Sequence, residues 1–286
     1  MVDLSEKYKK ELMDAARNER IRLALSRAIS SYRMNVAKAL ERYPHTLKLA
    51  EEVRKIKEES VARLEELAKQ AMDSIRDMKG EVYLAKTGEE ACKIIGEIVG
   101  SGKLVVKSKS ITSEEIELRE YLEHIGNTVY ETDLGELLVQ LAGSRPTHPV
   151  NPSVHMPREE VAEVLSKALG ETVPPDIKTE VAAARKFLRE KFVRADIGIS
   201  GANVVSADTG SLFIIENEGN ARLSTGLPPI HIAIVGVEKI VPTIQDAMKV
   251  AEVTWRHATG KNPSYVNIIS CLLYTSDAAD ELDGVD

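Results

Sequence analysis

The sequence has few aromatic residues, few cysteines and no long apolar run. Phe, Trp and Tyr make up 4% of the 286 residues, and the cysteines are Cys92 and Cys271. Two cysteines cannot build a disulfide framework or a structural zinc site by themselves. No apolar run reaches the roughly 20 residues that span a bilayer, and the N-terminal MVDLSEKYKK lacks the apolar core of a secretory signal. We therefore predict a cytoplasmic protein without a membrane span.

The sequence also lacks an excess of positive charge. It has 38 Lys and Arg against 45 Asp and Glu, a net charge of -7, and a pI of about 5.6. This balance argues against a nucleic-acid partner. Residues 1–80 carry 18 basic and 14 acidic residues, whereas residues 81–286 carry 20 and 31. The apolar share of 43% is ordinary for a globular protein, so we expect a folded body with a mildly basic head.

The head, residues 1–80, has helical periodicity. Residues 4–42 contain no Pro or Gly and repeat apolar residues at steps of three and four, until Pro44 interrupts the pattern. A second pattern runs from Val61 to Met78, with Gly80 as a C-cap. The head is therefore predicted to be an extension of two long helices. Its basic face would suit a partner, although solvation alone also explains a charged face.

After Gly80, short apolar runs alternate with helical patterns. Strands are predicted at 81–85, 104–106, 127–131, 196–200, 204–207, 211–216, 231–237 and 265–270. Helices are predicted at 87–98, 112–126, from 133, and at 157–169, 175–194 and 242–258. Capping boxes are expected at Thr87 with Glu90 and at Thr112 with Glu115. The alternation predicts an α/β domain over 81–270, with a mainly parallel sheet flanked by helices.

The first candidate site is the loop Lys107, Ser108, Lys109 and Ser110. It leaves a buried strand and enters a helix, and ligands of open α/β sheets bind at that edge. Two lysines and two hydroxyls beside a helix N-terminus suit a phosphate or carboxylate, so we expect a small anionic metabolite there. Replacing both lysines should then weaken anion binding. A polar solvated turn is the alternative reading, because the spacing matches no phosphate-binding motif.

Other polar turns are candidates for the walls of the same pocket. The candidate residues are Asp133, Asn203, Asp208, Thr209, Gly210, Ser211, Asn217, Glu218, Gly219, Asn220, Arg222 and His231. Asp133 is also expected to cap a helix, and the 208–211 segment also reads as a hairpin turn. Loops 107–110, 201–203 and 217–220 are predicted to share one cleft at the strand carboxyl ends. Surface turns favour Asn and Gly as well, so turn geometry is the competing explanation.

The histidines do not have the spacing of a metal site. His148 and His155 are seven residues apart, and no HExxH pattern is present. No GxSxG nucleophile motif occurs either. The sequence predicts no metal ligands of its own, and the catalytic residues stay unknown at this stage.

These strings resemble the LUD domain of lactate utilization proteins. The resemblance is carried over 102–243 by VVKSKSITSEEIELREYLE, VYETDLGELLVQLAG, ADIGISGAN, ADTGSLFIIENEGNARLSTGLPPIHIA and GVEKIVPT. The head, with RKIKEESVARLEEL, resembles the iron–sulfur branch of that family, which extends the cover to about 1–270. The resemblance implies a fold related to ribose-phosphate isomerases and CoA-transferases. It also implies a subunit of a complex that oxidises L-lactate to pyruvate.

One departure from that family concerns its clusters. The resemblance implies that full-length relatives continue into a ferredoxin-like region with two CxxCxxCxxxCP motifs and 4Fe–4S clusters, each held by four thiolates. This chain has one cysteine after Cys92, so we expect no cofactor in this fragment. The closing string CLLYTSDAADELDGVD resembles translated adapter sequence rather than the family. Residues 271–286 are therefore expected to be a non-native, disordered tail on a truncated chain.

Three functions remain open at this stage. The first is a subunit of a lactate-oxidising complex, with a cysteine-rich oxidoreductase subunit and a second LUD protein as partners, as the resemblance implies. The second is an enzyme that binds a phosphorylated or CoA-linked substrate. The third is a non-catalytic scaffold that assembles partners through the helical head. Fold alone does not choose among them.

Overall fold

The computed structural model describes residues 9–10, 13, 16–144, 146, 148, 151–258, 260 and 262–270. The head contains α1 (Glu19–Arg42), α2 (His45–Ala62) and α3 (Leu64–Asp77). The body helices are α4 (Gly88–Val99), α5 (Ile111–Glu115), α6 (Leu118–His124), α7 (Leu134–Ala142), α8 (Arg158–Leu169), α9 (Ile177–Arg194), α10 (Asn220–Gly226) and α11 (Ile244–Ala258). The strands are β1 (Leu104–Lys107), β2 (Thr128–Glu131), β3 (Ile197–Ser200), β4 (Val204–Ser206), β5 (Leu212–Glu216), β6 (Ile230–Ala233), β7 (Ile240–Val241) and β8 (Tyr265–Ile269).

The first sheet is parallel throughout, with strand order β2-β1-β3-β6. Its central strands β1 and β3 are short apolar runs, and β3 is buried at every position. Such runs are typical of parallel strands that are covered by helices on both faces. Helices α4 and α6 contribute to one apolar cluster on this sheet, and α7, α8 and α9 contribute to another. This arrangement confirms the α/β class with a mainly parallel sheet flanked by helices.

A second, mixed sheet has the strand order β7-β4-β5-β8. Strands β4 and β7 are parallel, whereas β5 runs antiparallel to both β4 and β8. The alternating pattern of the sequence did not distinguish this sheet from the first one. The tight turn between β4 and β5 makes this pair antiparallel, as a hairpin reading of 208–211 implies, whereas parallel neighbours need a long crossover.

The head packs against the second sheet. Leu67, Ala68 and Ala71 of α3 are buried against Val205 and Ile240. Burial of one such leucine side chain contributes roughly 1.5–3 kcal/mol. Helix α2 adds Ile56 to the apolar cluster around Phe213 and α11. Helix α11 contributes the fully buried side chains of Ala247 and Ala251 to that cluster, and Ile244, Val250 and Trp255 pack against it.

From Glu19 to Asp77 the head contains three helices, where two long helices were predicted for the whole head. A helix that was not predicted, α2, follows Pro44. Val61, the predicted start of the second long helix, lies in the last turn of α2, and α3 begins only after a break at Arg63. The apolar residues Leu47 and Val61 of α2 stay exposed. The left-handed residue after α3 is Lys79, with φ 64°, rather than Gly80.

Two local predictions in the body are wrong. Residues 81–85 were predicted to form a strand, but they pair with no described strand. Tyr83 and Leu84 are more than half exposed, so their apolar side chains are not packed in a core. The cap of the helix after β1 is Ser110 rather than Thr112, because the Ser110 hydroxyl accepts from the amide of Ser113 and the helix begins at Ile111. It then breaks at Glu117, whose left-handed φ of 52° separates α5 from α6.

Some expectations fall on residues outside the described part. They are the helical start from residue 4, parts of the Pro- and His-rich stretch at 145–150, and the whole of 271–286 with Cys271. The division into a head, a body and a tail stays a prediction. Among the described residues, no helix has both the length and the apolarity needed to cross a membrane.

Candidate functional site

A buried ion pair lies where β1 and β2 end. Lys107 and Glu131 are register partners at the carboxyl ends of these parallel strands, so their side chains leave the sheet side by side. The Lys107 Nζ is 2.8 Å from Glu131 Oε2, and the two residues are 1% and 5% exposed. A buried pair of this kind persists only when both charges are matched, because each would otherwise lose its hydration without compensation.

Helix α7 brings a second carboxylate to this pair. Asp133 caps the helix and accepts from the amides of Gly135 and Glu136 at 3.0 and 3.2 Å, as expected from the sequence. The cap places Glu136 in the first turn, with its carboxylate 3.8 Å from Lys107 Nζ and 3.4 Å from Lys109 Nζ. Glu136 therefore joins the two lysines of the 107–110 loop into one cluster.

The third carboxyl group comes from α5. Burial, the hydrogen bond with Glu136 and the Glu136 charge raise the pKa of Glu114 to about 8. Burial also raises the pKa of Glu131 to about 7, against the opposing charge of Lys107. Burial alone would raise the pKa of Glu136, but the hydrogen bond with Glu114 and the Lys107 charge lower it to about 2. These pKa shifts favour a protonated Glu114 and an ionised Glu136 at neutral pH.

The Lys107 ammonium forms ion pairs with Glu131 and Glu136. It is desolvated, which alone would lower its pKa, but the carboxylates of Glu131 and Glu136 raise that pKa above its ordinary value. Lys109 differs because its side chain is 24% exposed while its Nζ is buried and donates no hydrogen bond to a described residue. Of the two lysines, Lys109 is therefore the one with capacity to bind a ligand.

The 216–220 turn approaches the same cluster. Glu216 accepts from the amides of Ala221 and Arg222 at 2.8 and 3.0 Å and so caps α10. At the start of α10, the Asn220 amide lies 3.5 Å from the Thr132 hydroxyl. Burial and the charge of Asp133 raise the pKa of Glu218, while the hydrogen bond from the Leu134 backbone and the charge of Lys109 act in the opposite direction. Loops 107–110, 132–136 and 216–220 thus meet at one edge.

The 201–203 segment reaches this edge only in part. A Cβ built on Gly201 would lie 2.9 Å from the Ser110 hydroxyl, so the two loops touch. Asn203 turns away from the cluster, since its Oδ1 accepts from the amide of Ile215 at 2.7 Å. Ser108 and Ser110 also form hydrogen bonds that stabilise the fold. The Ser108 amide donates to the carbonyl of Ile199, and the Ser110 hydroxyl caps α5.

The structure does not bring the 208–211 turn to the cluster. It joins the amino end of β5 to β4, and the cluster lies near the other end of β5, roughly 15 Å away at about 3.4 Å per residue. Asp208 accepts from the amide of Ile244 at 3.3 Å, and the Thr209 hydroxyl bonds Ser206 and Ser211. Gly210, with φ 66°, packs against Ile75 of the head. This candidate is a structural hairpin turn.

Three other candidates have partners outside the cluster. The Arg222 guanidinium stacks on Tyr265, with its Cζ 4.1 Å from the ring centroid. Asn217 accepts from the amide of Ser264 at 3.1 Å, and Gly219 supplies the left-handed φ of 80° before α10. These residues hold the 216–220 turn against the start of β8.

His231 forms a separate polar pair beneath α10. Its Nε2 lies 2.7 Å from the Ser200 hydroxyl at the end of β3. Burial lowers the pKa of His231 to about 4, so the ring is neutral near pH 7. A neutral ring accepts from or donates to a hydroxyl according to its tautomer.

The residues that sequence reasoning missed are the carboxyl groups of Glu114, Glu131 and Glu136. Glu131 ends a predicted strand and Glu136 is the third residue after a predicted cap, so both positions point to the ligand-binding edge of the sheet. That placement was a usable signal. The burial of Glu114 was not foreseeable, because it depends on where α5 turns after Ser110.

The described residues do not fit an iron–sulfur cluster. Cys92 is buried and its thiol donates to the Ile116 carbonyl at 3.2 Å, and Cys271 lies outside the described part. A tetranuclear cluster takes four thiolates. No group of three or more His, Cys, Asp or Glu among the described residues has the arrangement of a metal site. No chemical step of this chain is therefore assigned to a metal or a cluster.

The fold and the cluster define an α/β protein with a polar site at the carboxyl edge of a parallel sheet. Residues 68–282 match the family model of the LUD domain. The chain belongs to the LUD-domain family, which confirms the resemblance that its motifs carry.

The relatives include several proteins named lactate utilization protein B. The chain is 36% identical to the one from Bacillus pumilus over 241 residues, covering 83% of this chain and 50% of that protein. It is 36% identical to the one from Bacillus licheniformis over 273 residues, covering 93% and 57%. The Bacillus thuringiensis protein is 35% identical over 269 residues, covering 92% and 56%. The chain thus spans about half the length of these relatives.

Among solved structures, the chain is similar to a DUF162 family protein from Deinococcus radiodurans. The TM-score is 0.42 and the identity 14%, over 72% of this chain and 88% of that one.

Proposed function

We propose that this chain is the LUD-domain part of a lactate-utilization complex that oxidises L-lactate to pyruvate. The observation that carries the proposal is the 36% identity to lactate utilization protein B over 93% of the chain. The iron–sulfur clusters of such a complex would lie outside the residues described for this chain. A cysteine-rich oxidoreductase subunit and a second LUD protein are the proposed partners.

The Lys107–Glu136 cluster supports a site for a small carboxylate. Glu114 holds a proton near neutral pH, so the two lysines face at most two carboxylates, those of Glu131 and Glu136. The cluster is then neutral or slightly positive and does not repel an anion. Lys109 would bind the carboxylate of the metabolite, and Lys107 would hold Glu131 in place.

The carboxyl groups supply the second part of the proposal. Oxidation of a 2-hydroxy acid to a 2-oxo acid releases both electrons and protons. The two electrons need an acceptor, and the iron–sulfur clusters of the complex, outside the residues described for this chain, would supply it. A carboxyl group with a pKa near 7, as for Glu131, is suited to take up a proton at physiological pH.

Calorimetry with L-lactate and pyruvate tests the binding step. The wild-type chain should bind at least one of them, and Lys109→Gln should weaken that binding by roughly 1.5–3 kcal/mol, the usual contribution of a charge-assisted contact. Lys103→Gln is the matched control, because that exposed lysine lies at the opposite end of β1. Binding of CoA or phosphate at this site in place of both acids would favour the alternative enzyme function, and equal affinities in all variants would contradict the site.

A further inference from the structure

A second polar cleft lies where the head meets the end of α11. Its volume is about 270 Å³, and its lining includes Lys38, Ala39, Arg42, Tyr43, Arg256 and Asn262. The first four residues belong to the end of α1 and the turn after it, whereas the last two follow more than 200 positions later. The cleft therefore exists only because the head packs on the body.

The aromatic ring of Tyr43 holds two guanidinium groups in this cleft. The Arg256 Cζ is 3.6 Å from the ring centroid, and the Arg42 Cζ is 5.3 Å from it. Stacking of this kind fixes a planar guanidinium while leaving its edge free to bind an anion. Arg256 also donates to Asn262, but its Nε is buried and has no acceptor among the described residues.

One wall of the cleft is a close backbone contact. Gly260 has a φ of 65°, a conformation that favours glycine. A Cβ at this position would lie 2.4 Å from the carbonyl carbon and oxygen of Asn35 on α1. Gly260 is therefore in close contact with α1, and it forms one wall of the cleft.

The charge of the cleft is positive. Lys38, Arg42 and Arg256 line it, and no described carboxylate is among the lining residues or forms an ion pair with any of the three. The three positive charges of these side chains exceed the single negative charge of a monocarboxylate. A phosphate ester carries a charge of about −1.5 to −2 and offers three acceptor oxygens, so it matches this set better.

We propose that this cleft binds the phosphate group of a small phosphorylated metabolite. Lys38 and Arg42 contact the phosphate from α1, and the Arg256 guanidinium contacts it from α11. The proposal uses no residue of the Lys107–Glu136 cluster, so it holds or fails independently of the proposed lactate function.

A structural role is the competing explanation for these charges. Helix α1 ends at Arg42 and α11 ends at Ala258, and basic residues in a last helical turn stabilise the helix dipole. In that case removal of the charges would lower the thermal stability of the protein equally with and without phosphate.

Titration calorimetry of the full chain with inorganic pyrophosphate and inorganic phosphate tests the proposal. Arg42→Gln and Lys38→Gln change exposed residues, so both variants should fold. We expect each to weaken pyrophosphate binding about tenfold, as for loss of one charge-assisted contact. Arg33→Gln, an exposed arginine on α1 outside the cleft, is the matched control and should bind as the wild type does.

Thermal denaturation gives a second readout. Pyrophosphate should raise the Tm of the wild-type chain and of Arg33→Gln, and should raise it less in the two cleft variants, because a ligand stabilises the state that binds it. The absence of binding to the wild-type chain would overturn the proposal. Equal loss of binding in Arg33→Gln, or L-lactate binding that the cleft variants abolish to the same extent, would also overturn it.

Discussion

At the scale of the residue, the ammonium of Lys107 is buried and paired with the carboxylates of Glu131 and Glu136. Removing its ammonium by Lys107→Met takes away the 2.8 Å partner of the buried Glu131 and leaves it the longer 3.6 Å ion pair with Arg119 Nε. We expect a loss of about 3–5 kcal/mol in the free energy of unfolding at a pH where Glu131 is ionised. Urea denaturation measures this loss.

Two further variants separate the charge from the packing. Lys107→Met with Glu131→Gln removes both charges and should recover much of the stability, because no uncompensated carboxylate remains. Lys103→Met is the surface control: its ammonium lies 3.9 Å from Asp196 with both side chains almost half exposed, so the change should cost less than about 1 kcal/mol. A single variant as stable as the wild type would show that the pair contributes nothing.

The carboxyl groups also predict a pH dependence of stability. Burial raises the pKa of Glu131 to about 7 and that of Glu114 to about 8, whereas both titrate near about 4.3 in an unfolded chain. Between these limits the folded chain holds protons that the unfolded chain has released. The free energy of unfolding should therefore fall as the pH rises from about 5 to about 8, and most steeply above about pH 6.5, because below that the neutral, buried His231 contributes in the opposite direction.

Substitution of one carboxyl group tests this sign. Glu114→Gln should reduce the slope of unfolding free energy against pH, measured by urea denaturation at several pH values. Glu115→Gln changes the exposed neighbour and should leave the slope as it is. A stability that rises steadily over the same range would contradict the raised pKa values.

At the scale of the element, helix α10 lies unusually close to β3. A Cβ on Gly198 would lie 1.7 Å from the carbonyl oxygen of Ser224, a backbone atom that cannot move without moving the helix. Gly198→Ala should therefore destabilise the protein by about 2–3 kcal/mol or more, at the upper end of overpacking costs. Thermal or urea unfolding measures this loss.

The matched control lies on the same helix. Gly226 has open space around a built Cβ and no positive φ, so Gly226→Ala should change stability by less than about 1 kcal/mol. Because α10 carries Asn220 beside Thr132, the Gly198 variant should also shift the edge of the Lys107–Glu136 cluster. Equal stability of the two alanine variants would show that the contact between α10 and β3 is looser than described.

At the scale of the whole molecule, the cysteine content predicts what the chain can hold. Its two cysteines fall short of the four thiolates of a tetranuclear cluster, and Cys92 is buried with a thiol bonded to Ile116. The purified chain should therefore contain no stoichiometric iron and show no cluster absorbance. Iron analysis after anaerobic reconstitution is the measurement, and one bound cluster per chain would contradict the prediction.

Local sequence determined most of the parallel sheet. The apolar runs that became β1 and β3, and the Asp133 cap of α7, rest on periodicity and on hydrogen bonds between near neighbours. Such signals lie within a few residues and need no knowledge of distant contacts. The motif strings likewise placed the chain in the LUD-domain family. They also pointed to the 107–110 and 217–220 loops, which meet at one edge of the sheet.

Only the tertiary structure decided which polar residues meet. Glu114, Glu131 and Glu136 come from three different elements, and their burial together depends on how α5 and α7 close over the ends of β1 and β2. The 208–211 turn has an equally polar sequence, yet it faces the head at the other end of β5. Spacing along the sequence determines on which face of a helix or strand a side chain lies, whereas the packing of the whole core determines how far apart two elements are. For that reason the chemistry of the site was not readable from its loops alone.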